Sequence, residues 1–248
     1  MTMPRLAVLI DAENAQLAIL SELLGEIAKL GTASVKRVYG DFTTPGLASW
    51  REKMLAHSIL PVQQFRNTVH KNASDGALII DAMDLLHSRK FEGFCIVSSD
   101  SDFTRLASRI REEGLSVYGF GESKTPPSFI AACDKFVYTE ILRQATSTSR
   151  NETTAATKPG MNMGRIVGHL ARAIQDCADE AGWALLGRVG SVVSNHVPDF
   201  DPRLYGFSKL SQLMKSIRDF EVRVPKDEPQ MISVRLRAVR VTPSKPRS

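Results

Sequence analysis

Ile96-Val97-Ser98-Ser99-Asp100-Ser101-Asp102-Phe103 decides how the rest of the chain is read. The apolar run Phe94 to Val97 reads as a buried strand, and it stops at a serine pair, an aspartate, a serine and a second aspartate. From there Phe103, Leu106, Ala107 and Ile110 recur three to four apart, the period of a helix, which carries through Arg111. Two carboxylates where a parallel strand hands over to a helix lie at the carboxyl edge of a sheet, where open α/β folds place ligands. Aspartate is also a good helix cap, so either acid taken alone is explained by capping. One of the two can serve both ends, and the pattern does not say which. The choice between cap and site turns on whether other strands deliver carboxylates to the same edge.

They do. Leu6-Ala7-Val8-Leu9-Ile10 is a compact apolar run of the fully buried, parallel-strand kind, and it ends at Asp11-Ala12-Glu13-Asn14. A helical pattern follows through Leu17, Leu20, Leu23, Leu24 and Ile27, so Asp11 holds the same architectural place as Asp100, with Asn14 within reach from the first turn. Ser34 to Tyr39 reads as the second strand, and its Lys36-Arg37 pair predicts a position nearer the sheet edge. Residues 45 to 57 read as helical and Ile59 to Phe65 as a third strand. After His70-Lys71-Asn72-Ala73, Ser74 and Asp75 open an apolar helix through Leu86. Asp81 and Asp84 lie about 240° and 180° around that helix from Asp75, off its face, which predicts solvated or structural roles. Leu115 to Gly121 reads as the fifth strand, Pro126-Pro127 as the start of a short helix to Cys133, and Phe136 to Ile141 as the last strand. The Gly119-Phe120-Gly121 spacing alone does not indicate a dinucleotide site.

Strand and helix patterns alternate to the end of this region, which predicts an α/β domain over residues 1–143 with a doubly wound, mainly parallel sheet. Residues 144–162, rich in Thr, Ser, Asn, Ala and Lys, read as a flexible linker. A small module is expected over residues 163–241. Its helices are Met163 to Ala181, Leu186 to His196 and Tyr205 to Ile217. Alternating runs from Phe220 to Val224 and Ile232 to Val239 form a hairpin with Arg235, Arg237 and Arg240 outward. Three helices and a β wing describe a winged-helix (α+β) module, a form used on nucleic acids. Residues 242–248 read as a disordered, basic tail.

The 248 residues are 43% hydrophobic and 24% charged, an ordinary globular composition. No apolar run approaches the ~20 residues of a membrane span, and the start leads straight into a strand without a signal-peptide cleavage region. Cys95, Cys133 and Cys177 are scattered and odd in number, which predicts neither a disulfide framework nor a zinc cluster and points to a reducing, cytoplasmic setting. The net charge of +5 is uneven: residues 1–150 hold 17 Lys+Arg against 17 Asp+Glu, and the remainder 15 against 10. A basic module on a neutral domain points to nucleic acid.

Asp11, Asp75, Asp100 and Asp102 thus converge on one edge. Clustered carboxylates repel one another unless a cation compensates. An all-oxygen set without Cys or His favours Mg²⁺ or Mn²⁺, and such a metal polarises a phosphodiester and acidifies a bound water. The absence of a Walker A motif leaves little for an NTPase.

The same residues resemble a known family. Val8-Leu9-Ile10-Asp11-Ala12-Glu13-Asn14, Lys71-Asn72-Ala73-Ser74-Asp75 with its helix through Asp81-Ala82-Met83-Asp84, Ser98-Ser99-Asp100-Ser101-Asp102-Phe103, and Val117 to Gly121 through Asp134 are similar to a NYN domain, a branch of the PIN-like nuclease fold. Gly187-Arg188-Val189-Gly190 and Tyr205-Gly206-Phe207-Ser208-Lys209-Leu210 resemble an OST-HTH/LOTUS domain. The resemblance implies metal-dependent phosphodiester hydrolysis, of single-stranded or structured RNA. Asp11, Asp75, Asp100 and Asp102 would form the metal site, with Asn14 and Ser98 or Ser99 orienting a ligand or phosphate. Asp81 aligns with an acid common in the family. Many relatives show Lys-Gly-x-Asp before this helix, whereas here Lys71 stands four residues before Asp75. Expected phosphate contacts in the second module are Arg188, Lys209, Lys215, Arg235 and Arg237, and a protein partner is the other use of such a module. Two rivals stand beside the nuclease: a non-catalytic RNA- or protein-binding adaptor, and a phosphatase of small phosphoesters, which leaves the second module unused. A choice of RNA over DNA rests on the resemblance alone.

Overall fold

The computed structural model describes residues 3–65, 73–147, 163–225 and 231–237, which fall into two compact units. The first is built on six parallel strands: β1 (Arg5–Asp11), β2 (Thr32–Gly40), β3 (Leu60–Gln63), β4 (Gly93–Val97), β5 (Ser116–Gly121) and β6 (Lys135–Tyr138), in the spatial order β3-β2-β1-β4-β5-β6. After β1 the chain winds outward one way through β2 and β3, then returns to the other side of β1 with β4. This reversal leaves a crevice beyond the carboxyl ends of β1 and β4, the place where doubly wound sheets bind ligands.

The sequence explains the layers. In β1 every residue after Arg5 is buried, and all of β4 is buried, as strands covered on both faces require. Leu6, Val8, Ile10 and Val38 face one side and pack with α1 (Leu20–Ala28), α2 (Trp50–His57) and α6 (Thr139–Ser147) through Leu23, Ile27, Trp50, Met54 and Leu142. The opposite face is covered by α3 (Ala73–His87), α4 (Thr104–Glu112) and α5 (Pro127–Ala132), with α3 lying against β1 and β2.

One expectation requires correction. Phe136 to Ile141 is not one strand: β6 ends at Tyr138 and α6 begins at Thr139, so the apolar Ile141 and Leu142 belong to a helix. A buried strand followed by the buried face of a helix reads as one apolar run, and periodicity alone cannot divide it. β2 lies next to the edge strand β3 and nearer the edge than β1, in keeping with its charge pair. Its charges are satisfied where they stand, Lys36 Nζ donating to the His57 carbonyl and Arg37 to Asp81.

The second unit holds α7 (Met163–Cys177), α8 (Leu186–His196) and α9 (Leu210–Ser216). A three-stranded antiparallel sheet completes it, made from β7 (Ala184–Leu185), β8 (Phe220–Arg223) and β9 (Ser233–Leu236) in the order β7-β9-β8. Three helices and this small sheet are a winged-helix module. Ile166, Leu170, Ala173 and Ile174 are the buried face of α7, as the periodicity predicts. The third helix is shorter than expected: Pro202–Tyr205 is a separate 3-10 turn, closed by Gly206 at φ +84°, and the α-helix starts at Leu210. No helix among the described residues is long and apolar enough to cross a membrane. Residues 148–162 of the expected linker, the tail 242–248 and Arg240 lie outside the described residues.

Candidate active site

Four elements meet at the crevice. β1 ends in Asp11, whose side chain is 1% exposed. Its Oδ1 accepts from the Glu13 backbone N–H at 3.0 Å, and its Oδ2 accepts from Asn14 Nδ2 at 2.7 Å and Ser98 Oγ at 2.8 Å. Burial pushes the Asp11 carboxyl up, while the bonds from Asn14, Ser98 and the local backbone pull it down. Asn14 and Ser98 are therefore engaged with Asp11 itself. Ser98 Oγ also accepts from the Asp100 N–H at 3.1 Å, so one hydroxyl ties the ends of β1 and β4 together.

Beyond β4 the chain makes a 3-10 turn, Ser101–Phe103, capped by Asp100, whose Oδ1 accepts from the Asp102 N–H at 2.9 Å. The cap is Asp100 rather than Asp102, and it uses one of the two Asp100 oxygens. Ser99 faces another way, its Oγ accepting from the Glu122 N–H at 2.8 Å and so holding the loop after β5. That loop comes close because of Gly121, where an added Cβ would lie 2.6 Å from the Ser98 carbonyl oxygen. At Gly119 a Cβ would meet Cys133 Sγ at 2.7 Å. The Gly-x-Gly spacing thus serves close packing of β5.

α3 supplies Asp75 in its first turn. Asp75, Asp100 and Asp102 each place a carboxylate oxygen within 4.8 Å of the other two. Asp11 is outside this triad, but its charge is felt there: burial first, then Asp11, Asp100, Glu13 and Asp102, push Asp75 up to about 6. Glu13 is the contributor that sequence reasoning missed. Its spacing of two residues from Asp11 in the turn after β1 was the available signal. The donor set is hard oxygen throughout, its acids raise one another's pKa at Asp75, and it fits a divalent cation.

Asp81 is elsewhere, bonded to Arg37 and Tyr39, and Asp84 is exposed. His70, Lys71 and Asn72, and with them the loop that departs from Lys-Gly-x-Asp, lie outside the described residues. In the second unit Arg188, Lys209, Lys215 and Arg237 are exposed. Arg235 is half-buried and not simply outward. It pairs with Glu221 at 2.8 Å and lies 4.5 Å over the Trp183 ring. Arg237 Nε donates to the Phe220 carbonyl at 3.1 Å.

The NYN domain family model matches residues 5–142, and the OST-HTH/LOTUS domain model matches residues 164–232. No curated protein shows significant similarity to the chain. A crystal structure of a protein of unknown function from Vibrio parahaemolyticus is similar over 55% of this chain and 93% of that one, at 17% identity and a TM-score of 0.47. A solution structure of an uncharacterized protein from Nitrosomonas europaea covers 39% of this chain and 95% of its own length, at 30% identity and a TM-score of 0.30.

Proposed function

The chain belongs to the NYN domain family and carries an OST-HTH/LOTUS domain after it, and from that premise we propose that it is a metal-dependent ribonuclease whose second module binds RNA. The observation that carries this reading is the convergence of the Asp75, Asp100 and Asp102 oxygens beside the buried Asp11. Asp75, Asp100 and Asp102 would hold Mg²⁺ or Mn²⁺, and Asp11 adds negative charge at the floor of the site. A bound divalent ion supplies Lewis-acid polarisation of the phosphodiester and a lowered pKa for water. The chain's own part is placement. Ser98 and Asn14 hold Asp11 in one orientation, and the Ser98 bridge fixes β1 against β4. Asp100 caps its turn through Oδ1 and leaves Oδ2 for the ion.

Arg188, Lys209, Lys215 and Arg237 offer phosphate contacts from the second module, with Arg235 serving first as a strut on Trp183. A protein partner is the module's alternative use. The proposed compartment is the cytoplasm, in keeping with the free cysteines Cys95, Cys133 and Cys177.

The test is cleavage of labelled single-stranded and structured RNA by wild type and Asp100→Asn, with Mg²⁺, Mn²⁺ or chelator. Asparagine keeps the capping oxygen, so the turn survives the substitution. Cleavage is expected from wild type with metal and from neither the variant nor the chelated protein. RNA left equally intact by both proteins with either metal would sink the enzyme reading in favour of a binding adaptor. Hydrolysis of a chromogenic phosphate ester but not of RNA would make the protein a phosphatase.

A further inference from the structure

α3 carries a second acid, Asp81, whose surroundings differ from those of Asp75. Both of its oxygens are taken: Oδ1 accepts from Arg37 Nη1, and Oδ2 accepts from the Tyr39 hydroxyl at 2.6 Å. A carboxylate held by a guanidinium and a phenol already has its charge paired and its orientation fixed toward β2. Asp81 is also absent from the group of oxygens that Asp75, Asp100 and Asp102 bring together. The family acid at this position is, in this chain, spent on β2.

What it holds is the informative part. Arg37 and Tyr39 are two residues apart on β2, so both side chains leave the same face of the sheet, the one that α3 covers. Tyr39 is fully buried. Its backbone is in register with Asp11, and its carbonyl accepts from the Ala12 N–H at 2.9 Å. One residue is thereby tied through its main chain to the strand end bearing Asp11 and through its hydroxyl to the helix bearing Asp75. Burial and the Asp81 charge push the phenol up, so it remains a donor at any working pH. Six residues separate Asp75 from Asp81, about 9 Å along the helix axis. The repulsion that Asp75 feels from Asp11, Asp100 and Asp102 acts on the first turn of α3. The Asp81 anchor resists it from the next turns.

We propose that Asp81, bonded to Tyr39 and Arg37, is a positioning residue that holds Asp75 at its distance from Asp11 and keeps the acidic site assembled for a cation. The inference rests on the metal-site reading above. It assigns Asp81 to the support of a ligand rather than to the ligand set.

Tyr39→Phe removes only the hydroxyl, and Asp81→Asn removes the charge but keeps an acceptor for Tyr39. For wild type and both variants, free Mn²⁺ is measured by electron paramagnetic resonance, RNA cleavage is followed against Mn²⁺ concentration, and folding is checked by circular dichroism. Loss of a group hydrogen-bonded directly to a ligand costs about 10–100-fold in metal affinity, and an anchor acting through the helix falls at the low end of that range. Both variants are expected to need about ten-fold more Mn²⁺ for half-maximal binding and cleavage. At saturating metal their cleavage returns to near the wild-type rate, with KM for RNA unchanged. Folded variants with wild-type Mn²⁺ affinity and a lower melting temperature would make the network merely structural and overturn the proposal. Cleavage lost in Asp81→Asn at every Mn²⁺ concentration, with Tyr39→Phe unaffected, would make Asp81 a ligand and overturn it too. Wild type that binds no Mn²⁺ overturns the metal-site reading and this inference together.

Discussion

Asp75 and Asp81 stand six residues apart on one helix, and their surroundings are opposite. Asp75 looks onto other acids, and burial with the charges of Asp11, Asp100, Glu13 and Asp102 pushes it up to about 6. Asp81 looks onto a guanidinium and a phenol that satisfy both of its oxygens. The same side chain is destabilised as an anion in the first turn of the helix and paired with a guanidinium midway along it. The helix thus presents to the crevice a charge repelled by its neighbours while being held to the sheet by a paired one. Removing Asp81 and removing Asp75 should therefore move stability in opposite directions.

The largest effect is expected for Asp81→Ala, which strands Arg37 and the buried Tyr39 hydroxyl. Breaking a partly buried ion pair from one side costs about 2–4 kcal/mol, to be read in urea unfolding as a lower midpoint at unchanged slope. A loss below about 0.5 kcal/mol would show the pair to be solvent-screened. Asp75→Asn should do the reverse in metal-free protein. The folded state holds the Asp75 proton to about pH 6, whereas the ordinary value is 3.8. Between those values folded protein binds more protons than unfolded, so stability falls as pH rises through the window and stays low above it. The substitution removes that loss. It should stabilise the protein at pH 7 by about 1 kcal/mol after allowance for solvent screening, with the difference closing below pH 4. Thermal melts of both proteins at the two pH values decide it.

The second unit offers smaller contrasts. Arg235→Ala gives up the pair with Glu221 and the stack on Trp183, for about 1 kcal/mol of stability. Lys209→Ala, an exposed residue, should leave stability alone and reduce the slope of log RNA affinity against log salt by about 0.7–1, as loss of one phosphate contact does. A salt slope unchanged in Lys209→Ala would remove that residue from the RNA contacts.

Much of the acidic edge was legible because its determinants are local. A buried apolar run that ends in aspartate and turns helical marks the carboxyl end of a parallel strand, and this located Asp11, Asp100 and Asp102. The apolar period that starts at Asp75 likewise located the helix opening. Helical phase alone sets Asp81 apart from Asp75. The partners themselves are non-local: Arg37 and Tyr39 lie more than forty residues from Asp81, and no periodicity reports which charge a strand residue meets. For the same reason Lys36-Arg37 pointed toward the sheet edge without revealing their partners, the His57 carbonyl and Asp81. Short pieces escaped as well. β7 has two residues, too few for alternation, and the Gly206 turn divides what reads as one helix. Nor could spacing show that Asn14 and Ser98 would be engaged by Asp11, since that depends on how β1 and β4 pair.

If the carboxylates at this sheet edge work through a divalent cation on RNA, the rate of RNA cleavage must depend on both Mn²⁺ and Asp75. Cleavage measured against Mn²⁺ concentration for wild type and Asp75→Asn decides it. A saturable rise with metal is expected in wild type, with a loss on the order of 100-fold or more in the variant at every concentration. Equal rates in the two proteins, or a wild-type rate indifferent to added metal and chelator, would contradict it.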